Sequence, residues 1–290
     1  MRNLIYTILF LGSTILTAQT INQVDIDKGS MSYLTKGEGE IILFIHGAQE
    51  DYRVFLPQVE LLSKQFKVVT YSRRYNFPNN NNLTGTYNAE TESEDLKRLI
   101  EQLGGPVHLV GHSYGGLIAI NFALNYPELT KTLIVSEPAL IDWLKTMPEC
   151  KTSYEDVQEH LIKETREAFK TKDTTMVMKE LFEFFAGADL QDQVPPEVLT
   201  MLKENLREIE ALVTSENGFR SPSCQSLKKL SIPIMIFTSN HTLPLLKCTN
   251  VKLVECLPNA THHYLEAAGH EMWLTHPEEL SQYISAFLKD

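Results

Sequence analysis

The sequence predicts an α/β chain, a mostly parallel central sheet flanked by helices and interrupted by an inserted block of helices that reads as a lid. Three observations carry this. Between Ile41 and Val135, short apolar runs of strand length alternate with amphipathic helical stretches, the order expected when strands lie side by side and the intervening helices cover the sheet. From Leu140 to about Lys229 strand patterns vanish, and Glu155–Lys170, Thr174–Phe185 and Pro196–Val213 all show helical spacing with charged outer faces. Alternation resumes at Ile232–Phe237 and continues to the end of the chain. The divisions are therefore a targeting segment at 1–19, core at 20–139, lid at 140–229 and core again at 230–290. A block of roughly 90 residues is too long for one crossover connection.

The first 19 residues read as an export signal. Arg2 supplies a positive start, and Leu4 to Leu16 are apolar apart from Thr7, Gly12, Ser13 and Thr14. Thr17-Ala18-Gln19 offers small residues for cleavage after Ala18 or Gln19. The run falls short of the about 20 residues of a transmembrane helix, so retention as an N-terminal anchor is the weaker alternative. The mature chain is expected in the periplasm or secreted, with no stable membrane insertion after cleavage.

The remaining elements follow in order. Ile41–Ile45 is a strand ending in His46-Gly47, Tyr52–Lys64 a helix and Phe66–Tyr71 a strand. Asn79 to Asn82, after Pro78, reads as a surface turn. Glu90–Leu103 is a helix stopped by Gly104-Gly105-Pro106, Val107–Val110 a strand, Tyr114–Asn125 a helix halted before Pro127, and Leu133–Val135 a strand. After the lid come strands at Ile232–Phe237 and His263–Glu266 and a closing helix from Pro277 to Leu288.

A net charge of −11 excludes a nucleic-acid partner, whose binding needs basic patches. Four cysteines, Cys150, Cys224, Cys248 and Cys256, allow three pairings in an oxidising compartment. The pairing first expected is Cys248 with Cys256, close in sequence, leaving Cys150 and Cys224 to bracket the insertion. Their spacing matches no zinc pattern, and no residue pattern calls for a cofactor or metal.

The strongest chemical signal is Gly111-His112-Ser113-Tyr114-Gly115-Gly116, between a predicted strand and a predicted helix. A strand that turns directly into a helix crowds its neighbours, and glycines at 111 and 115 remove the offending Cβ atoms. The turn lifts the Ser113 hydroxyl above the sheet at a helix N-terminus, where developing negative charge is favoured. A serine nucleophile needs a base. Of nine histidines, His270 in Ala267-Ala268-Gly269-His270 follows the last strand, on a loop able to reach the elbow. His262 and His263 sit within a strand, His112 is too near Ser113 in the turn, His46 precedes another loop, and His241 and His276 face solvent.

With Phe44-Ile45-His46-Gly47-Ala48, Gly111 to Gly116 and Gly269-His270, the chain from about Ile21 to Asp290 resembles the α/β-hydrolase family, lid included. The resemblance implies a triad ordered nucleophile, acid, histidine, and an oxyanion hole made by the Ala48 and Tyr114 amides. Most relatives place an aspartate after the strand equivalent to Ile232–Phe237. Here that loop reads Thr238-Ser239-Asn240-His241-Thr242-Leu243-Pro244, with Thr242 near the aspartate's place and no carboxylate. Glu255 falls too far downstream, in the next strand or loop. In some dehalogenases of this fold the acid is a glutamate one strand earlier, 24 residues past the nucleophile, and Glu137 occupies that place here. Asp142 lies further into the lid and is the weaker choice.

The expected activity is therefore hydrolysis of a small ester, thioester, lactone or related acyl compound by Ser113, His270 and Glu137. Carbon–carbon bond hydrolysis or cofactor-free perhydrolysis fits the same triad. Dehalogenase and epoxide-hydrolase chemistry does not, since those relatives carry an aspartate where Ser113 stands. A catalytically weak binding protein on the same scaffold is the rival from another class. Arg73 and Arg74 are read as structural ion pairs before substrate ligands. Asn82, Asn240 and Asn259 head glycosylation sequons, which matter only in a host that uses them.

Overall fold

The computed structural model describes residues 20–289; the segment expected to be an export signal, with its expected cleavage point, lies outside them. Eight strands form one sheet: β1 (Ile21–Ile26), β2 (Gly29–Lys36), β3 (Ile41–Ile45), β4 (Lys67–Tyr71), β5 (Val107–His112), β6 (Thr130–Ser136), β7 (Ile234–His241) and β8 (Thr261–Gly269). Their spatial order is β1-β2-β4-β3-β5-β6-β7-β8. β1 and β2 pair antiparallel and extend an otherwise parallel sheet. The central strands read as unbroken apolar runs because helices cover both faces. Along β3, Leu43 and Ile45 enter the core on one face while Ile42 and Phe44 enter the other, the two-residue period of a strand.

The helices of the core are α1 (Leu56–Leu62), preceded by a 3₁₀ turn at Tyr52–Phe55, α2 (Ala89–Leu103) and α3 (Tyr114–Asn125). The Asn88 side chain caps α2 by accepting from the Thr91 amide, and Gly104 ends it at φ +90°, a left-handed conformation that glycine adopts without penalty. Between β6 and β7 the chain is helical: α4 (Lys151–Asp156), a π-helical stretch (Val157–Glu164), α5 (Thr165–Lys170), α6 (Thr174–Ala186), α7 (Pro196–Glu204), α8 (Leu206–Thr214) and α9 (Cys224–Leu227). α10 (Pro244–Cys256), α11 (Met272–Thr275) and α12 (Pro277–Phe287) complete the fold. The helical insertion packs on the α2–α3 side of the sheet, its Leu161, Met178, Ile209 and Leu212 sharing one apolar core with Leu109 and Leu117.

Five expectations change. Pro196–Val213 is two helices, because Asn205 leaves helical geometry (φ −104°, ψ 10°) to donate to Asp51 Oδ2 at 2.7 Å and accept from the Phe77 amide at 2.8 Å. The Asn79–Asn82 run is structural rather than a free surface turn. Asn79 accepts from the Ser32 amide and donates to the Ser72 and Arg73 carbonyls, while Asn81 bridges Ser30 and Arg74. Strand β7 continues to His241, and Glu255 lies in helix α10 instead of a strand or loop.

The disulfides are the fifth. Cys150 pairs with Cys248 and Cys224 with Cys256, with Cα separations of 6.2 and 5.4 Å. Cys248 and Cys256 both stand on α10. Eight residues of helix separate them by about 12 Å, beyond the roughly 7 Å limit for a disulfide. Each instead bonds a cysteine of the insertion, so α10 is stapled to both of its ends.

Candidate active site

The elbow at Ser113 has the strain its sequence predicts. Ser113 sits at φ 51°, ψ −117°, outside the regions that residues with a Cβ favour. A Cβ on Gly111 would meet the Gly115 carbonyl oxygen at 2.5 Å, and one on Gly115 would meet that of Ile45 at 2.1 Å. Only glycine fits either position. Among the described residues five non-glycine residues have positive φ, and Gln49, Ser113 and Glu137 are three of them. Such strain concentrates where surrounding structure enforces a functional geometry.

His270 and Glu137 come together across the ends of β6 and β8. His270 Nδ1 lies 2.7 Å from Glu137 Oε2. The carboxylate is fully buried and receives the Ser239 amide (2.9 Å), Ser239 Oγ (2.8 Å), Thr242 Oγ1 (2.6 Å) and, at 3.4 Å, Asn250 Nδ2. Burial is the largest influence on its pKa and acts upward. The His270 hydrogen bond and charge, with the Thr242 and Ser239 bonds, outweigh it and hold the carboxyl below the ordinary range. For His270, burial acts downward but the bond to Glu137 and the charges of Glu137, Glu271 and Glu50 leave the imidazole above its ordinary value. The His112 ring lies 4.5 Å from that of His270, tilted 42° to it, with Nδ1 3.0 Å from Ser136 Oγ, and burial holds its pKa well below the ordinary value. His241 is exposed and His276 half-buried.

The loop after β3 is fixed amide by amide. His46 Nε2 accepts from the Arg73 amide at 3.1 Å, so its proton sits on Nδ1 and is donated to the Gly47 carbonyl at 2.9 Å. Arg73 Nη2 donates to the same carbonyl at 2.9 Å. That carbonyl belongs to the planar peptide unit carrying the Ala48 N–H, so fixing one end fixes the other. The Gly47 amide donates to Glu50 Oε2 at 2.7 Å. Tyr114, the first residue of α3, has an amide with no partner inside its helix. Ala48 and Tyr114 border one cavity with Ser113 and His270.

Glu50 is a carboxyl that the sequence reading did not single out. Its side chain is 19% exposed, with Oε1 4.0 Å from His112 Nε2. Burial pushes its pKa up to about 7, against the Gly47 amide and the His270 charge. Its place four residues after His46 was the available signal. Arg73 and Arg74 are not substrate ligands in this arrangement. Arg74 pairs with Asp95, and Arg73 is wholly buried against Tyr87, Glu92 and Glu208. Asp142 instead pairs with Lys145 and accepts from the Ser221 amide.

The cavity is narrow, with about 40 Å³ open to the centre of a water-sized molecule. Ile141, Leu161, Phe184, Leu212, Phe219 and Leu246 contribute to its apolar wall. The Tyr114 hydroxyl donates to the Gly218 carbonyl at 2.9 Å, and among the described residues no lysine or arginine lines the space.

Comparison with known proteins agrees with this architecture. The chain is 32% identical over 130 residues to YraK, an uncharacterised hydrolase of Bacillus subtilis (strain 168), a match spanning 43% of this chain and 48% of that protein, so the chain covers about half the length of that relative. It is 22% identical over 255 residues to RutD, a putative carbamate hydrolase of Pantoea ananatis (strain LMG 20103), over 87% of this chain and 89% of the relative. An epoxide hydrolase of Bacillus megaterium superposes with a TM-score of 0.73 at 21% identity, covering 93% of this chain and all of the other. The sequence profile of the alpha/beta hydrolase fold matches residues 40–277. With that match over most of its length, the strained elbow at Ser113 and the parallel sheet beneath it, this chain belongs to the alpha/beta hydrolase fold family.

Proposed function

We propose that this protein is a serine hydrolase that cleaves an ester, thioester or lactone whose acyl part is uncharged and apolar. The observation that carries the reading is the 2.7 Å contact of Glu137 with His270 Nδ1 beside a strained Ser113 on the wall of an apolar cavity. Nδ1 is committed to the carboxylate, which leaves Nε2 to take the Ser113 proton as Oγ attacks the carbonyl. Glu137 holds the ring and stabilises the imidazolium that forms. The Ala48 and Tyr114 amides receive the negative charge of the tetrahedral intermediate, an effect typically worth a few kcal/mol per donor. His270 then protonates the leaving group, and water releases the acyl group by the same steps in reverse.

The missing loop aspartate is what would favour a non-catalytic scaffold, and the buried, four-donor environment of Glu137 supports the catalytic reading instead. The cavity lacks a cation, which weighs against substrates bearing a carboxylate. The helical insertion supplies Leu161, Phe184, Ile209 and Leu212 to the cavity wall and acts as the lid. Export to an oxidising compartment accounts for both the leader-like 1–19 segment and two disulfides.

A fluorophosphonate probe should label Ser113 in the purified mature protein and fail to label Ser113→Ala. Among p-nitrophenyl esters, uncharged short to medium acyl chains should be cleaved and succinyl esters poorly. Absence of labelling in the unmutated protein would sink the reading.

A further inference from the structure

The insertion reaches back to the oxyanion loop through one buried carboxylate. Glu208, on α8, is wholly buried. Its Oε2 accepts from the Gln49 amide at 2.9 Å, and its Oε1 accepts from Arg73 Nη2 at 3.0 Å. The same Nη2 donates to the Gly47 carbonyl. Gly47 C=O and Ala48 N–H belong to one peptide unit, and Gln49 N–H to the next. Glu208 thus holds the second of these units directly and the first through Arg73, on either side of the Ala48 Cα. Gln49 sits at φ 61°, a conformation costly for a residue with a Cβ, and its contact with Glu208 is one of the bonds that keep it there. On the same helix, Ile209, Leu212 and Val213 line the cavity. The docked α8 and the peptide units around Ala48 therefore share the contacts of Glu208 and Arg73.

We infer that Glu208 is a positioning residue for the oxyanion hole, acting through Arg73 and Gln49, so that only the docked insertion presents a competent Ala48 amide. The inference rests on the serine-hydrolase reading above. It separates Glu208 from an ordinary buried ion pair in one respect. Loss of the contact impairs stabilisation of the tetrahedral intermediate more than binding of the ground-state ester, because the oxyanion forms only in the reaction.

The test uses full-length mature protein, p-nitrophenyl butyrate and butylboronic acid, which forms a tetrahedral anion on the serine. Glu208→Gln keeps the side-chain volume but only one acceptor oxygen; Glu208→Ala keeps neither. With folding checked by circular dichroism and Tm, kcat should fall about tenfold in Glu208→Gln and about a hundredfold in Glu208→Ala, the latter at the lower end of the range seen when an oxyanion donor is lost outright. KM should stay within about twofold, and boronate affinity should weaken by the same factor as kcat. Unchanged kcat in folded Glu208→Gln overturns the proposal, as does a loss lying wholly in KM with boronate affinity retained. If Glu208→Ala does not fold, Glu208→Gln decides alone. Failure of the unmutated protein to react with ester and boronate alike overturns the proposed activity and the role of Glu208 with it, an outcome distinct from failure of the variants.

Discussion

Thr242 Oγ1 donates a 2.6 Å hydrogen bond to Glu137 Oε2, the oxygen that also meets His270 Nδ1. Thr242 stands about where most relatives carry the triad aspartate. In the proposed triad the carboxylate, Glu137, stands instead at the end of the neighbouring strand β6, with Thr242 as one of its donors. Strands β6 and β7 pair in parallel through Ser136 and Phe237, so their C-terminal ends lie side by side. A glutamate reaches from one end to the point an aspartate would occupy at the other.

Glu137→Gln should lower kcat by about 10³–10⁴ while the protein remains folded, the scale of loss seen when the orienting acid of a serine-protease triad is neutralised. Steady-state kinetics with a p-nitrophenyl ester measures it. Adding Ser113→Ala should cost little more, since residues that act as a unit are not additive. A near-normal kcat in Glu137→Gln would remove Glu137 from the triad.

Thr242→Asp alone should reduce activity, because it places a second carboxylate against Glu137 and loses a donor; two adjacent carboxyls cannot both ionise easily. In the Glu137→Gln background the same change should restore part of kcat by returning the acid to β7. Equal loss in both backgrounds would contradict the equivalence of the two positions.

The pH dependence follows from His270. Its imidazole is held above the ordinary 6.5, and the base must be neutral to accept the Ser113 proton. The acid limb of kcat/KM should therefore have its midpoint above pH 6.5, with activity rising as pH rises through it. Glu137→Gln removes the hydrogen bond and charge that raise the value and leaves burial opposing, so residual activity should show a limb at lower pH. Glu50→Gln removes one of the weaker charges acting in the same direction and should move the limb less. A limb that stays in place in Glu137→Gln would argue against His270 as the titrating group.

Non-reducing peptide mapping should recover Cys150 joined to Cys248 and Cys224 to Cys256. Their sequence separations are 98 and 32 residues. Closing loops of that size corresponds to about 4–5 kcal/mol per bridge in the chain-entropy account, so mild reduction should lower Tm clearly. Insensitivity of Tm to complete reduction would show that the insertion is held by packing alone.

Export makes its own prediction. Mature protein from the native host should begin near Gln19 or Thr20, read by N-terminal sequencing. Recovery of Met1 on the purified protein would refute cleavage.

Local chemistry was sufficient for some parts of this protein. Gly111 and Gly115 around Ser113 encode the elbow within a few residues, because a Cβ at either place would collide with a backbone carbonyl less than 3 Å away. The buried strands and amphipathic helices are likewise legible as periodicities, and the 24-residue interval pointed to Glu137, the carboxylate that meets His270. What depended on residues distant in sequence was decided only by the tertiary structure. Cys248 and Cys256 are near in sequence but face partners 98 and 32 residues away, because α10 holds them about two turns apart. Asn205 breaks a helix that propensity would continue, since Asp51 and the Phe77 amide, more than 120 residues away, compete for its side chain. The donors around Glu137 and the link from Glu208 to Gln49 arise only when strand ends and insertion meet. Sequence determined the residues able to do the chemistry; packing decided which buried hydrogen-bonding groups would satisfy one another, because a desolvated polar group without a partner is costly.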